Sequence, residues 1–213
     1  MIDPAAMRRS YERGLLDEST APSSWLTLFT AWFADAVGEL TYTEANAMQV
    51  ATVEPDGRPA VRTVLAKGFG ADGVVFYTNY ESPKSRALDA NPYAAAVFAW
   101  VPLERQVRIS GPVARVDRAT TEAYFASRPR GAQIGAWASP QSSVIASRAA
   151  LDDLQHEVEQ RYGDGPIPAP EHWGGYRILA QNVEFWQGRQ NRLHDRLRYR
   201  REGEAYVIER LAP

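Results

Sequence analysis

The chain has 213 residues, 45% of them hydrophobic, with a formal net charge of −2 and a pI near 6.0. That length suits one domain, or a single large barrel with helices, and the apolar content is enough for a core, which argues against disorder. Cysteine is absent, which removes disulfides, thiolate metal ligands and a cysteine nucleophile and fits the cytoplasm, while the balanced charge argues against general nucleic-acid binding.

Residues 1–22 form a segment ahead of the domain at 23–213. An acid and a proline stand at Asp3 and Pro4, where a secretory signal would have an apolar core. Pro22-Ser-Ser24 opens a helix carrying Trp25, Leu28, Phe29, Trp32, Phe33, Ala36 and Val37 at helical spacing, and this aromatic stripe reads as core packing. The period then changes. Residues 48–53, the turn Glu54-Pro-Asp-Gly57 and residues 59–67 read as a hairpin, with a third strand at 74–78. Further strands are expected at 93–100, 105–110, 113–117, 176–187, 193–201 and 205–211, interrupted by helices near 84–90, 120–127 and 149–162. The longest apolar run, residues 94–103, is far short of the ~20 residues that span a bilayer. Many short strands without strand–helix alternation favour an antiparallel barrel, mainly β with flanking helices, in a single domain.

Two apparent motifs fail on context. Gly68-Phe-Gly-Ala-Asp-Gly73 spells a dinucleotide fingerprint, but a strand follows it instead of a helix, so it reads as a hairpin turn. His156, His172 and His194 are far apart and match no zinc spacing, so no metal site is expected.

Other segments are compatible with phosphate. Ser82 caps a helix with Pro83 at its first position, which sets free N–H groups and the positive helix end beside Lys84; the plainer reading is an ordinary cap and a solvated lysine. In the strand Arg62-Thr-Val-Leu-Ala-Lys67 the two cations fall on opposite faces. Tyr124 and Arg128 share one helix face at i, i+4, where a hydroxyl and a guanidinium can jointly grip a phosphate or simply decorate the surface. The densest charge lies in Arg189-Gln-Asn-Arg-Leu-His-Asp-Arg-Leu-Arg-Tyr-Arg-Arg201. As a strand, it sets Arg192, His194, Arg196, Arg198 and Arg200 on one face. Such a row is tolerated if water solvates it, if carboxylates neutralise it, or if it holds an anion.

Taken in order, Arg62-Thr-Val-Leu-Ala-Lys67, Phe76-Tyr-Thr-Asn79, Leu103-Glu-Arg-Gln-Val107, Tyr124-Phe-Ala-Ser-Arg-Pro-Arg130, Gln133-Ile-Gly-Ala136, Gln141-Ser-Ser143, Trp173-Gly-Gly-Tyr176, Glu184-Phe-Trp-Gln-Gly188, Asn191-Arg-Leu-His-Asp-Arg196 and Glu209-Arg-Leu-Ala-Pro213 closely resemble the pyridoxamine 5′-phosphate oxidase family. The resemblance runs from about Trp25 to the end. It implies a split β-barrel homodimer that binds FMN at the subunit interface and oxidises pyridoxamine or pyridoxine 5′-phosphate to pyridoxal 5′-phosphate, with O2 reduced to hydrogen peroxide.

By the same resemblance, FMN falls to Arg62, Thr63, Val64, Leu65, Ala66, Lys67, Tyr77, Thr78, Lys84, Gln106, Gln141, Ser142, Trp186 and Arg196, with Arg62 and Lys84 on its phosphate. Lys67, Tyr124 and Arg128 fall on the substrate phosphate, and Arg192 and His194 lie against the pyridine ring as the catalytic pair. Arg8 and Tyr11 match a segment that in the family closes over the site. Two positions depart from the pattern. Pro83 stands where many members have an arginine, and Ala132 where many have a serine, which leaves more of the FMN phosphate to Lys84 and costs the substrate phosphate one hydroxyl donor, worth about 1 kcal/mol. Two rival readings are a flavin split-barrel enzyme with another substrate and a non-catalytic binder of pyridoxal phosphate or nucleic acid.

Overall fold

The computed structural model describes residues 3, 7, 10–41 and 44–213. The first helix, α1 (Trp25–Glu39), buries Trp25, Phe29, Trp32 and Ala36, the stripe read from the sequence, while Val37 faces solvent. A hairpin follows, β1 (Ala47–Val53) with β2 (Pro59–Leu65), paired in register from Ala47↔Leu65 to Val53↔Pro59. The short β3 (Gly68–Gly70) pairs back on β4 (Gly73–Asn79), so the glycine-rich segment is a hairpin turn. Next come α2 (Pro83–Ala90), β5 (Tyr93–Trp100) and the long β6 (Arg105–Arg115). Three helices follow, α3 (Arg118–Ala126), α4 (Arg130–Ala138) and α5 (Arg148–Tyr162), and the chain closes with β7 (Trp173–Leu179), β8 (Asn182–Gln187), β9 (Asp195–Glu202) and β10 (Ala205–Arg210).

The ten strands form one antiparallel sheet, in which the order β10-β9-β8-β6-β5-β1-β2 forks at β6 toward β7, β4 and β3. Residues 105–110 of β6 pair with β8, and Val113–Arg115 pair with β7. Gly111 lies at the fork, where any Cβ would collide with the Leu179 carbonyl oxygen; only glycine lets the two arms come this close. This curled, forked sheet is the split barrel expected from the resemblance.

Several boundaries differ from the sequence reading. The expected strands 105–110 and 113–117 are one strand, because β5 pairs with β6 continuously from Trp100↔Arg105 to Tyr93↔Pro112. The expected strand 176–187 is two, broken at Ala180 and Gln181, where the Gln181 N–H turns back onto the Leu179 carbonyl at 2.8 Å. Helix α4 was not foreseen. Its Gly131 and Gly135 weaken local helix preference, and burial of Gln133, Ile134 and Ala138 offsets that. The strand expected over 193–201 starts only at Asp195: residues 190–192 form a tight turn in which Asn191 (φ 55°) and Arg192 (φ 63°) are left-handed. Arg192 is therefore off the strand and off the predicted row.

Apolar side chains from α1 and the sheet make the main core, with Met48, Phe98, Val107, Ile109, Phe185, Leu197 and Tyr199 fully buried. Removing side chains of this size from water is worth roughly 1.5–3 kcal/mol each. Two of its buried polar ends are paired: Trp100 Nε1 donates to the Ala45 carbonyl at 2.9 Å and Tyr199 Oη to the Pro22 carbonyl at 2.8 Å. A second, smaller cluster of Phe125, Ile134, Ile167, Ala169 and Trp173 fastens α3 and α4 beside the sheet. The space between that cluster and β2 is the site.

Candidate functional site

A cavity of about 760 Å³ opens there. Strand β2 contributes Arg62, Thr63, Val64 and Leu65, and Lys67 follows it on the same wall. The alternation rule had set Arg62 and Lys67 on opposite faces; β2 ends at Leu65, so the rule stops applying and both reach one cavity. Ala66 does not line it. Its side chain is buried, and its backbone exchanges hydrogen bonds with Asn46 at 2.8 and 3.0 Å.

The end of β4 and the start of α2 form the floor. Lys84 is only 8% exposed, and its Nζ donates to Thr78 Oγ1 (3.0 Å), Gln141 Oε1 (3.1 Å) and Ser82 Oγ (3.2 Å). All three oxygens are neutral. Burial, helped by the nearby charge of Arg62, pulls this amine down to about 8. The plainer reading, a solvated lysine, therefore does not hold: Lys84 is a desolvated ammonium without a counterion. Ser82 does precede Pro83 at the helix start, but its hydroxyl makes no capping bond and instead meets Lys84 and Ser85. Arg62 donates through Nη1 to Thr52 Oγ1 at 2.8 Å, with Glu54 at 3.7 Å, and burial lowers its pKa.

The opposite wall is aromatic. Tyr124 stacks on Tyr77 at 4.1 Å, Tyr77 stacks on Trp173 at 5.2 Å, and the Arg128 guanidinium lies 4.7 Å over the Trp173 ring. Arg128 Nη1 is buried without a hydrogen-bond partner. Tyr124 and Arg128 do share the face read from their spacing, and it faces the cavity. Ser142 and the two departures, Pro83 and Ala132, also line it.

The remaining predicted residues lie elsewhere. Gln106, Trp186 and Arg196 are directly paired across β6, β8 and β9, which sets them in a line on one sheet face. His194 lies 4.6 Å from Trp186, and Tyr11 packs against both rings at 5.8–5.9 Å. Gly188 admits Tyr11, whose ring a side chain there would strike. Tyr11, Arg189, Arg192 and His194 line a second cavity of about 440 Å³. Arg8 lies outside the described residues. Within one chain, therefore, Gln106, Trp186, Arg196, Tyr11, Arg192 and His194 do not join the first cavity.

The arginine row resolves into pairs. Glu184, 4% exposed, takes Arg196 on Oε1 at 2.8 Å and Arg108 on Oε2 at 2.5 Å; Arg198 and Arg200 share Glu209; Arg189 meets Asp195. Carboxylates neutralise most of the row. Among the described residues, the cations without an ion pair are Lys67, Lys84, Arg86, Arg128, Arg130, Arg161 and Arg192. Arg86 and Arg130 donate to carbonyls, and Arg161 lies over aromatic rings. The other four are all residues assigned to phosphate or substrate. Trp173, Glu184 and Arg189 carried no role in the sequence reading. The first two stand inside quoted motifs, and Glu184 is two residues from Trp186 on the same strand face, the one signal that pointed to it.

Comparison with known proteins completes the picture. A family model described as pyridoxamine 5′-phosphate oxidase matches residues 34–162, and one described as pyridoxine 5′-phosphate oxidase C-terminal dimerisation region matches residues 173–213. Proteins named pyridoxine/pyridoxamine 5′-phosphate oxidase from Pseudomonas fluorescens strain Pf0-1 and Salinispora arenicola are 54% and 53% identical, covering 98% and 100% of this chain and 98% and 97% of their own. The crystal structure of PhzG from Burkholderia lata, in complex with tetrahydrophenazine-1-carboxylic acid, superposes with a TM-score of 0.88 at 28% identity over 96% of this chain and 100% of that one. The chain belongs to the pyridoxamine 5′-phosphate oxidase family.

Proposed function

We propose that the protein is an FMN-dependent oxidase that converts pyridoxamine 5′-phosphate and pyridoxine 5′-phosphate to pyridoxal 5′-phosphate, with O2 as acceptor, hydrogen peroxide as product and ammonia released from the amine. The observation that carries it is the first cavity, where Lys67, Lys84 and Arg128 converge without counterions beside a stacked aromatic wall. FMN and the substrate each bring a phosphate monoester of about −1.5 to −2 charge, and these cations answer both. A cavity of about 760 Å³ is of the size that takes a mononucleotide.

On this reading Arg62, Lys84, Thr78, Gln141 and Ser142 hold the FMN phosphate and ribityl chain, and Lys67, Tyr124 and Arg128 hold the substrate phosphate. FMN, when bound, supplies a two-electron acceptor that O2 can reoxidise. Gln106, Trp186, Arg196, Arg192 and His194 then come from the second protomer of a homodimer, which makes the interface part of the site. Their separation from the first cavity within one chain supports this, as does the dimerisation region matched at residues 173–213. The N-terminal segment closes over the second cavity through Tyr11. A cytoplasmic setting is part of the reading, in keeping with the cysteine-free sequence; among the described residues no helix is long and apolar enough to cross a membrane. Within the site the protein's own work is to neutralise two phosphates and to orient the ring with Arg192 and His194.

The test is the absorption spectrum of purified protein before and after anaerobic addition of pyridoxamine 5′-phosphate and, separately, pyridoxine 5′-phosphate, followed by peroxide assay in air. A yellow protein bleached by substrate is expected. A colourless protein that takes up no FMN would sink the proposal, and flavin left oxidised by both substrates would favour a split-barrel enzyme of other specificity.

A further inference from the structure

His194 stands one residue before β9, and its Nδ1 lies 3.1 Å from the backbone nitrogen of Arg189. A peptide N–H can only donate. Nδ1 must therefore offer its lone pair, and the neutral ring carries its single proton on Nε2. The donor is firmly placed. Arg189 is extended (φ −136°, ψ 158°), its guanidinium meets Asp195 at 2.9 Å, and Asp195 also takes Arg210 at 3.0 Å and the Leu16 N–H at 3.2 Å. On its other side the Gly188 N–H is anchored to the Glu104 carbonyl at 2.7 Å. Trp186 and Tyr11 flank the imidazole, which opposes a ring flip.

We propose that the Arg189 backbone N–H is a positioning group that locks His194 in the Nε2–H tautomer, so that His194 offers substrate a hydrogen-bond donor and not a proton acceptor. The inference rests on the oxidase reading for the identity of the substrate but not for the tautomer itself. Arg192, the other member of the pair, also has only donors. Both side chains therefore suit lone pairs on a pyridine-type substrate, such as a ring hydroxyl oxygen. Oxidation of the C4′ alcohol or amine breaks a C4′–H bond, whose electron pair goes to the flavin, and releases an O–H or N–H proton. With neither Arg192 nor His194 able to accept it, that proton goes to solvent water.

The experiment is nitrogen NMR of the FMN-loaded protein labelled with 15N-histidine, His194 being assigned among the three histidines by the His194→Gln spectrum. A protonated Nε2 and an unprotonated Nδ1 are expected, unchanged in Arg189→Ala, which keeps the peptide donor. Arg189→Pro, which deletes that donor, is expected to give a tautomer mixture; an unchanged spectrum would remove Arg189 from the role. In anaerobic single turnover at saturating substrate, His194→Gln, which can donate from nearly the same place but is no base, is expected to reduce flavin within about tenfold of the parent rate, since loss of a general base costs ~10²–10⁴-fold. A Nδ1–H tautomer in the parent protein, or a greater loss in His194→Gln, overturns the proposal. If Arg189→Pro does not fold, the parent spectrum and the Gln variant still decide. Failure of the oxidase reading would show differently, as flavin in the parent protein that pyridoxamine 5′-phosphate never bleaches.

Discussion

The Lys84 ammonium donates to the Gln141 amide oxygen at 3.1 Å, and the same oxygen accepts from Thr78 Oγ1 at 2.9 Å and from the Asn79 N–H at 3.3 Å. Three donors thus converge on one neutral acceptor at the proposed phosphate subsite. Because burial holds Lys84 down to about 8, a bound phosphate must draw a proton onto it at higher pH. FMN affinity should be flat from pH 6.5 to 7.5 and then fall by up to about tenfold per pH unit above 8. Flavin fluorescence titrations check this, and Lys84→Met should bind about 10–100-fold more weakly with the slope gone. The sign for the FMN-free protein is opposite. A folded-state pKa below the unfolded one means that the unfolded chain binds more protons between about 8 and 10.5, so this group's contribution to stability rises with pH across that window.

Trp173 holds two residues of the proposed substrate-phosphate subsite at once, through the Tyr77–Tyr124 stack and through Arg128. Trp173→Leu should raise KM for pyridoxamine 5′-phosphate about tenfold, from ~1–2 kcal/mol of lost stacking and cation–π contact, with kcat within about threefold. Trp173→Phe should recover part of the loss. Equal falls in kcat and kcat/KM would place Trp173 in the chemical step instead.

Pro83 lines the first cavity at the first position of α2. Pro83→Arg adds a guanidinium at the proposed FMN-phosphate subsite, to which only Arg62 and Lys84 are assigned as cations, and one charge-assisted bond is worth about 1–2 kcal/mol. FMN should dissociate about fivefold to twentyfold more slowly, as read by equilibrium dialysis and stopped-flow fluorescence.

Glu184 is buried between Arg196 and Arg108. Glu184→Gln leaves Arg196 facing a neutral amide. Since both arginines keep some contact with water, the cost should be about 1–3 kcal/mol, below that of a fully buried pair. Urea unfolding should show the loss at an unchanged m-value. FMN release should also quicken, because Arg196 loses its orientation.

At the fork of the barrel, Gly111→Ala should cost about 3 kcal/mol or prevent folding, since the added methyl group has nowhere to go but into the Leu179 carbonyl. Thermal unfolding checks this. A neutral result would mean that the two arms can separate without loss.

Local chemistry was legible in the residues. The α1 stripe, the β1–β2 hairpin and the glycine-rich turn follow from periodicity and turn preference, which act over a few residues and survive in any fold. The ordered motifs named the family, because side chains that hold a phosphate must recur in type and spacing. What the sequence could not carry was anything set by approach through space. Whether 105–117 is one strand or two depends on β5 lying alongside. Whether Lys84 is solvated depends on Thr78, Ser82 and Gln141 closing around it. Alternation kept Arg62 and Lys67 apart until the strand ended between them, and it set Arg192 in a row that a left-handed turn breaks. That some of the arginines would pair with acids was open to the sequence, but which acids was not, since Glu184, Glu209 and Asp195 reach them through strand register. Sequence determined which chemical groups the protein owns. The tertiary structure decided which charges remain unpaired, and an unpaired buried cation is what gives a site its affinity for phosphate.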